Sequence, residues 1–204
     1  MNYALVVSKY NENVDWLHAF EPANVMLYDK SANPIGIPRP NVGRESETYL
    51  YYILTHYDEL PEYIVFLQGN PFDHMSGVSA ETFRRQLEEL LQTRPPATLP
   101  LFAQLREEDA TKWPRLRVRE HYESLFATAC APTIQFAAGC QYIVPRHEIL
   151  KNSRELYTRL YNMICKGETL REDPHTQTPQ TPFDSEAMCP WGFERFAYLL
   201  FTHR

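Results

Sequence analysis

Residues 40–74 read PNVGRESETYLYYILTHYDELPEYIVFLQGNPFDH, and their reading decides the fold: a glycine turn, a helix, a strand and a polar loop. Tyr49, Leu50, Ile53, Leu54 and Tyr57 recur at three-to-four spacing, which predicts an amphipathic helix stopped by Leu60-Pro61. Residues 63–67, YIVFL, are a short apolar run rich in β-branched and aromatic residues, the pattern of a buried strand. Ligands of open α/β sheets gather beyond the carboxyl ends of the strands. Here that place is the loop Gln68-Gly69-Asn70-Pro71-Phe72-Asp73-His74. At the other end of the helix, Asn41, Arg44 and Glu45 surround Gly43, where unpaired N–H groups suit an anion. If turn and loop face one crevice, they make one site.

On the N-terminal side, residues 3–7 predict a first strand that delivers the polar run Ser8-Lys9-Tyr10-Asn11-Glu12. A short helix through Trp16, Leu17 and Phe20 follows, then a second strand at residues 24–28 and a proline-rich loop at 31–40. On the C-terminal side, Ser79 is a plausible cap for a helix with Phe83, Leu87, Leu90 and Leu91 on one face. Residues 101–130 show mixed charge and read as a surface excursion with a short helix at 121–128. Residues 133–144 read as one or two strands hinged at Gly139, and residues 146–150 and 153–165 as helices. A long loop at 167–187 precedes a last helix, residues 191–201, that is apolar almost all round and therefore buried. Strands alternating with helices predict one α/β domain over residues 1–204, a mixed, mostly parallel sheet flanked by helices.

Composition narrows the function. Of 204 residues, 44% are hydrophobic, which excludes a disordered chain, and the net charge of -6 without a basic stripe argues against nucleic acid. Cys130, Cys140, Cys165 and Cys189 lack C-x-x-C spacing, so reduced, mostly buried thiols are expected. The N-terminus is too polar for a signal peptide or anchor, and no apolar window is long enough to span a membrane. A cytoplasmic location is the expectation. No G-x-S-x-G elbow and no G-x-x-x-x-G-K-[ST] loop occurs, which argues against serine hydrolases of that type and P-loop enzymes.

The segments VVSKYNENVDWL, NVGRESETYLYYILTHYDELP, FLQGNPFDH, AAGCQYIVPRHEI and FERFAYLLF together resemble the family called domain of unknown function 3431, across nearly the whole chain. The paired N-x-G-R-E and F-L-Q-G-x-P-F-D-H motifs are its most specific part. More distantly, the order of elements resembles GT-A glycosyltransferases. That resemblance implies a nucleotide-sugar lying across the strand ends, a glycan acceptor, and a D-x-D motif holding a divalent metal. This loop has no D-x-D.

Asp73 and His74 could ligate Mg²⁺ or Mn²⁺ together with a diphosphate, since hard ions want oxygen ligands; a local Asp–His hydrogen bond pinning the proline turn is the structural alternative. Arg44 offers a planar fork for phosphate, or is merely exposed beside a capping Glu45. Glu194 or Glu45 could act as general base toward an acceptor hydroxyl, with burial raising the pKa of Glu194; an ion pair tying the last helix to the core explains Glu194 equally. The GT-A resemblance implies that Ser8, Tyr10, Asn11 and Glu12 contact the nucleoside, which loop capping explains equally well, and Asn41, Gln68 and Asn70 are candidates for the rest of the nucleotide-sugar. The expectation is a glycosyltransferase-like protein. The alternatives are a non-catalytic nucleotide- or carbohydrate-binding module of the same fold and a metal-dependent hydrolase.

Overall fold

The computed structural model describes residues 2–74, 77–101, 104–167 and 183–202, apart from the His74 side chain. Its strands are β1 (Tyr3–Lys9), β2 (Val25–Asp29), β3 (Ile37–Pro38), β4 (Tyr63–Gln68), β5 (Leu99–Pro100), β6 (Arg106–Asp109), β7 (Thr133–Phe136) and β8 (Tyr142–Pro145). Six of them form one sheet in the order β3-β2-β1-β4-β8-β5. The first four in that order run parallel, and β8 lies antiparallel to both β4 and β5. The expected mixed, mostly parallel sheet is present.

Alternation along the strands divides the interior in two. Ala4 and Val6 of β1, with Ile64 and Phe66 of β4, face a core built with α1 (Arg44–His56), α5 (Arg154–Lys166) and α6 (Pro190–Thr202). Leu5, Val7, Val65 and Leu67 face the other side, where α2 (Ala80–Gln92) packs with Trp16 and Phe20. Trp16 sits on a 3-10 turn, Asp15–Ala19, rather than a full helix turn. Its ring meets Phe20, Phe72 and Phe83 edge to face. Helices thus cover both faces of the sheet, as a parallel sheet requires.

Helix starts follow local chemistry. Ser79 accepts a hydrogen bond from Thr82 N (3.2 Å) and Ser153 one from Leu156 N (3.3 Å), capping α2 and α5. The start of α1 is different. Gly43 (φ 64°) and Arg44 (φ 51°) are both left-handed, and Gly43 supplies no side-chain cap. A glycine in place of a capping side chain forgoes only about a few tenths of a kcal/mol, whereas left-handed backbone at a non-glycine costs about 1–2 kcal/mol. Burying Tyr49, Leu50 and Ile53 completely, at roughly 1.5–3 kcal/mol for each large apolar side chain, outweighs both. Gly43 itself is required by space: a Cβ there would sit 2.4 Å from Ile164 Cγ2.

The stretch read as a surface excursion is structured. β6 pairs with β7 in a separate two-stranded antiparallel sheet, and α3 (Val118–Phe126) follows a left-handed Arg117. Its hydrophobic cluster of Ala110, Leu116, Val118, Ile134 and Cys189 is small, which is why no periodicity announced it. The hinge at Gly139 (φ 81°) sends β7 and β8 into different sheets. Most of the long loop at 167–187 lies outside the described residues. Among the described residues, no helix is long and apolar enough to cross a membrane.

Candidate functional site

The chain runs from β1 outward through β2 and β3, then returns through α1 to place β4 on the other side of β1. Strand order therefore reverses between β1 and β4, the switch point at which open α/β sheets form a crevice. Ser8 and Gln68 are register partners at the carboxyl ends of these strands. A cleft of about 520 Å³ opens there, lined by Ser8, Lys9, Tyr10, Glu12, Lys30 and Asn41, and further by Arg44, Glu45, Gln68, Asp73 and Trp191. The turn before α1 and the loop after β4 do face one crevice.

Each wall has an identifiable support. Ser8 Oγ lies 3.0 Å from Thr48 Oγ1, joining the end of β1 to α1. The Glu12 carboxylate accepts from Tyr10 N at 2.6 Å and folds back over Gly69, where a Cβ would come within 2.8 Å of Glu12 Oε2. Gln141 pins the loop after β4 by accepting from Gln68 N (3.3 Å) and donating to Pro71 O (3.2 Å). Trp16 Nε1 donates to Gly69 O at 2.8 Å. The loop is held at three points, so its polar groups keep fixed positions.

The cations of the cleft differ in freedom. Lys9 Nζ lies 3.2 Å from the buried Asp29 carboxylate. Burial works against that carboxylate, but hydrogen bonds from Ser31, Ile35 and Lys9 prevail and bring its pKa to about 2. Lys30 Nζ donates to Glu47 Oε2 (2.6 Å) and Val42 O (2.7 Å), and burial lowers its pKa although Glu47 opposes the shift. Glu47, wholly buried, is also paired with Arg39 and accepts from the Tyr161 hydroxyl at 3.2 Å. Arg44 is the most accessible of the three: 41% of its side chain is exposed. Its guanidinium lies 4.0 Å over the Trp191 ring and 3.5 Å from Glu45. Such a stacked fork can still present donors to a phosphate.

Of the sequence candidates, Ser8, Tyr10, Glu12, Asn41, Arg44, Glu45, Gln68 and Asp73 line the cleft. Asn11 and Asn70 are not among its lining residues. Asn70 instead donates to Asp73 Oδ1 at 2.6 Å and accepts from Phe72 N at 3.3 Å, a pinning of the loop that the sequence reading did not assign to it. The His74 side chain lies outside the described atoms. Among the described residues, no group of three or more His, Cys, Asp and Glu side chains could hold a metal. Glu194 is not among the lining residues either; it is buried on α6, accepting from Arg195 Nη1 at 2.8 Å. Burial raises its pKa; Arg195 opposes the shift, and the charge of Glu45 adds to it. Sequence reasoning missed Lys9, Lys30, Gln141 and Trp191. The two lysines stand at strand ends and were legible there, whereas nothing in the chain marks Trp191 as a neighbour of Arg44.

Residues 5–94 match the family model described as Protein of unknown function (DUF3431), so the resemblance carried by the N-x-G-R-E and F-L-Q-G-x-P-F-D-H motifs holds over that region. The match contains every residue lining the cleft except Trp191. No curated protein and no solved structure matches the chain.

Proposed function

We propose that the switch-point cleft binds a nucleotide-sugar and that the protein transfers the sugar to an acceptor hydroxyl, as a glycosyltransferase-like enzyme of GT-A-like architecture. The observation that carries this reading is the convergence of three features on one crevice. The carboxyl ends of β1 and β4, the N-terminus of α1 and the partly exposed Arg44 all meet there. An anion at a helix N-terminus beside a planar cation is a diphosphate's natural setting. Tyr10, 45% exposed, and Trp191 supply aromatic surface beside it for a base or a sugar ring.

Arg44 would neutralise the charge that develops on the departing diphosphate, an electrostatic contribution to the transition state. Glu45 stands on the same wall as the group to receive the acceptor proton. Asp73 is exposed within the cleft and is the residue to hold a Mg²⁺ or Mn²⁺ ion. Mg²⁺ commonly takes one or two carboxylates and completes its shell with substrate phosphates and water, so one carboxylate suits an ion that arrives with a diphosphate. Such an ion would neutralise diphosphate charge.

A thermal-shift panel of UDP-, GDP- and dTDP-sugars, each with and without Mn²⁺, tests the reading. A donor at 100 times its dissociation constant should stabilise by about 2.7 kcal/mol. A shift in both nucleotide and metal arms, with transfer abolished in a folded Asp73→Asn variant, supports a metal-dependent transferase. A shift without turnover points to the binding module. No shift with any donor sinks the nucleotide-sugar assignment.

A further inference from the structure

At the ends of β1 and β2, ammonium donors outnumber the acceptors that meet them. Lys9 closes β1 and Lys30 follows β2, and the backbone joins the two, Lys30 N donating to Lys9 O at 2.9 Å. Both residues line the switch-point cleft. Their side chains are only 10% and 3% exposed, so bulk water is largely removed from them. An ammonium carries three N–H donors and no acceptor. Lys9 Nζ uses two of them, on Tyr10 O at 3.0 Å and Asp29 Oδ2 at 3.2 Å. Lys30 Nζ also uses two, on Val42 O at 2.7 Å and Glu47 Oε2 at 2.6 Å. Among the described residues, the third donor of each meets no acceptor.

The carboxylates behind them are already filled. Asp29 accepts from Ser31 N at 2.8 Å and Ile35 N at 3.0 Å besides Lys9. Glu47 Oε1 is taken by Arg39 and the Tyr161 hydroxyl, and its Oε2 by Lys30. Charge is out of balance as well: Lys9, Lys30 and Arg39 are largely buried cations, set against the two carboxylates of Asp29 and Glu47. A surplus buried cation is unfavourable unless an anion joins it. Burial lowers the Lys30 pKa, Glu47 opposes the shift, and the charge of Arg39 adds to it. The other carboxylates of the cleft are engaged elsewhere. Glu12 and Asp73 are exposed, where water and salt screen them, and accept from Tyr10 N and Asn70; Glu45 lies against Arg44. The acceptor that the two ammonium groups lack is an oxyanion entering through the cleft.

We propose that Lys9 and Lys30 form an oxyanion subsite at the carboxyl ends of β1 and β2, which holds a phosphoryl group through ammonium donors alone. Val42, whose carbonyl anchors Lys30, stands two residues before Arg44, so the subsite adjoins the guanidinium fork. Three cations on one cleft suit the several negative charges of a diphosphate better than the single charge of a carboxylate. The subsite needs no metal ion, and an ion held by Asp73 would add to it. That the phosphoryl group belongs to a nucleotide-sugar, and that the subsite stabilises the departing diphosphate, rests on the transferase reading.

The probe is inorganic pyrophosphate, titrated calorimetrically into the full chain at low salt in the presence of EDTA. The parent protein should bind it. Lys9→Met should weaken binding roughly tenfold or more, while Asp29 keeps its two backbone donors. Lys30→Met removes a partner of buried Glu47 and risks the fold, so carbon-13 NMR of the lysine ε-carbons in the parent chain supplies the second readout. Gln substitutions at the exposed Lys112, Lys151 and Lys166 assign three signals and leave those of Lys9 and Lys30. Pyrophosphate should move the Lys9 and Lys30 signals and spare the other three. No binding in EDTA, unchanged binding by folded Lys9→Met, or a Lys9 or Lys30 signal that stays in place overturns the subsite. Pyrophosphate carries neither base nor sugar. A nucleotide panel without any shift would therefore end the transferase reading and leave a positive pyrophosphate result standing.

Discussion

The Arg44 guanidinium stacks at 4.0 Å on the ring of Trp191, and this contact joins the start of the first long helix to the start of the last. On the proposed reading Arg44 meets the diphosphate, and the stack gives its guanidinium an orientation. Charge-assisted hydrogen bonds contribute about 1.5–3 kcal/mol. Arg44→Ala should therefore weaken nucleoside diphosphate binding roughly tenfold or more. Arg44→Lys should recover only part of it, because an ammonium neither stacks nor forks. Calorimetric titration with UDP and GDP checks the ranking, and equal affinities for all three proteins would remove Arg44 from the site.

Glu47 presents a second kind of ion pairing, with stability at stake instead of binding. It is wholly buried between Lys30 and Arg39, with the Tyr161 hydroxyl 3.2 Å away. Breaking a buried network by removing one partner typically costs about 3–5 kcal/mol, because the remaining charges stay behind unpaired. Glu47→Ala should lose stability on that order in urea denaturation. A loss near that of a surface ion pair, below about 1 kcal/mol, would contradict the burial.

His121 on α3 makes a pH prediction. Its side chain is buried, its Nδ1 has no hydrogen-bond partner among the described residues, and its ring packs 5.1 Å from that of Phe183. Burial lowers its pKa from 6.5 to about 4, overcoming the opposite pull of Glu120 and Asp184. Between those values the unfolded chain binds the proton and the folded chain does not. Stability should be full above pH 6.5 and fall as pH drops toward about 4, by about 3 kcal/mol from this group alone. Urea midpoints measured across that interval should flatten in His121→Phe. An unchanged slope would mean that His121 is not the group responsible.

Gly69 separates fold from site. A Cβ there would press on the end of the flexible Glu12 side chain, 2.8 Å from Oε2, and the backbone is not in a left-handed conformation. Gly69 is buried and the methyl would also lie 3.2 Å from Glu12 Cβ, so Gly69→Ala should cost about 1 kcal/mol of stability, the low end for an overpacked site, while displacing Glu12 from the cleft and altering ligand binding. Thermal unfolding with and without a bound donor measures both. A large loss of stability in the apo protein would show that Glu12 cannot move aside.

Much of this was legible along the chain because it depends on neighbours in sequence. The period of Tyr49, Leu50 and Ile53 declared α1, the run at Tyr63 declared β4, and Ser79 declared its own cap. Strand ends and glycine turns likewise marked Ser8, Arg44, Gln68 and Asp73 as groups for one crevice. β7 was read as a strand but its partner β6 was not, since the four charged residues of β6 offer no apolar position to show a period. Tertiary structure alone decided which side of β1 receives β4, and hence where the crevice opens. It alone set Trp191 under Arg44 and Gln141 under the polar loop. The physical reason is that periodicity and capping are local energies, whereas these contacts arise when distant segments are packed together to bury the two faces of one sheet.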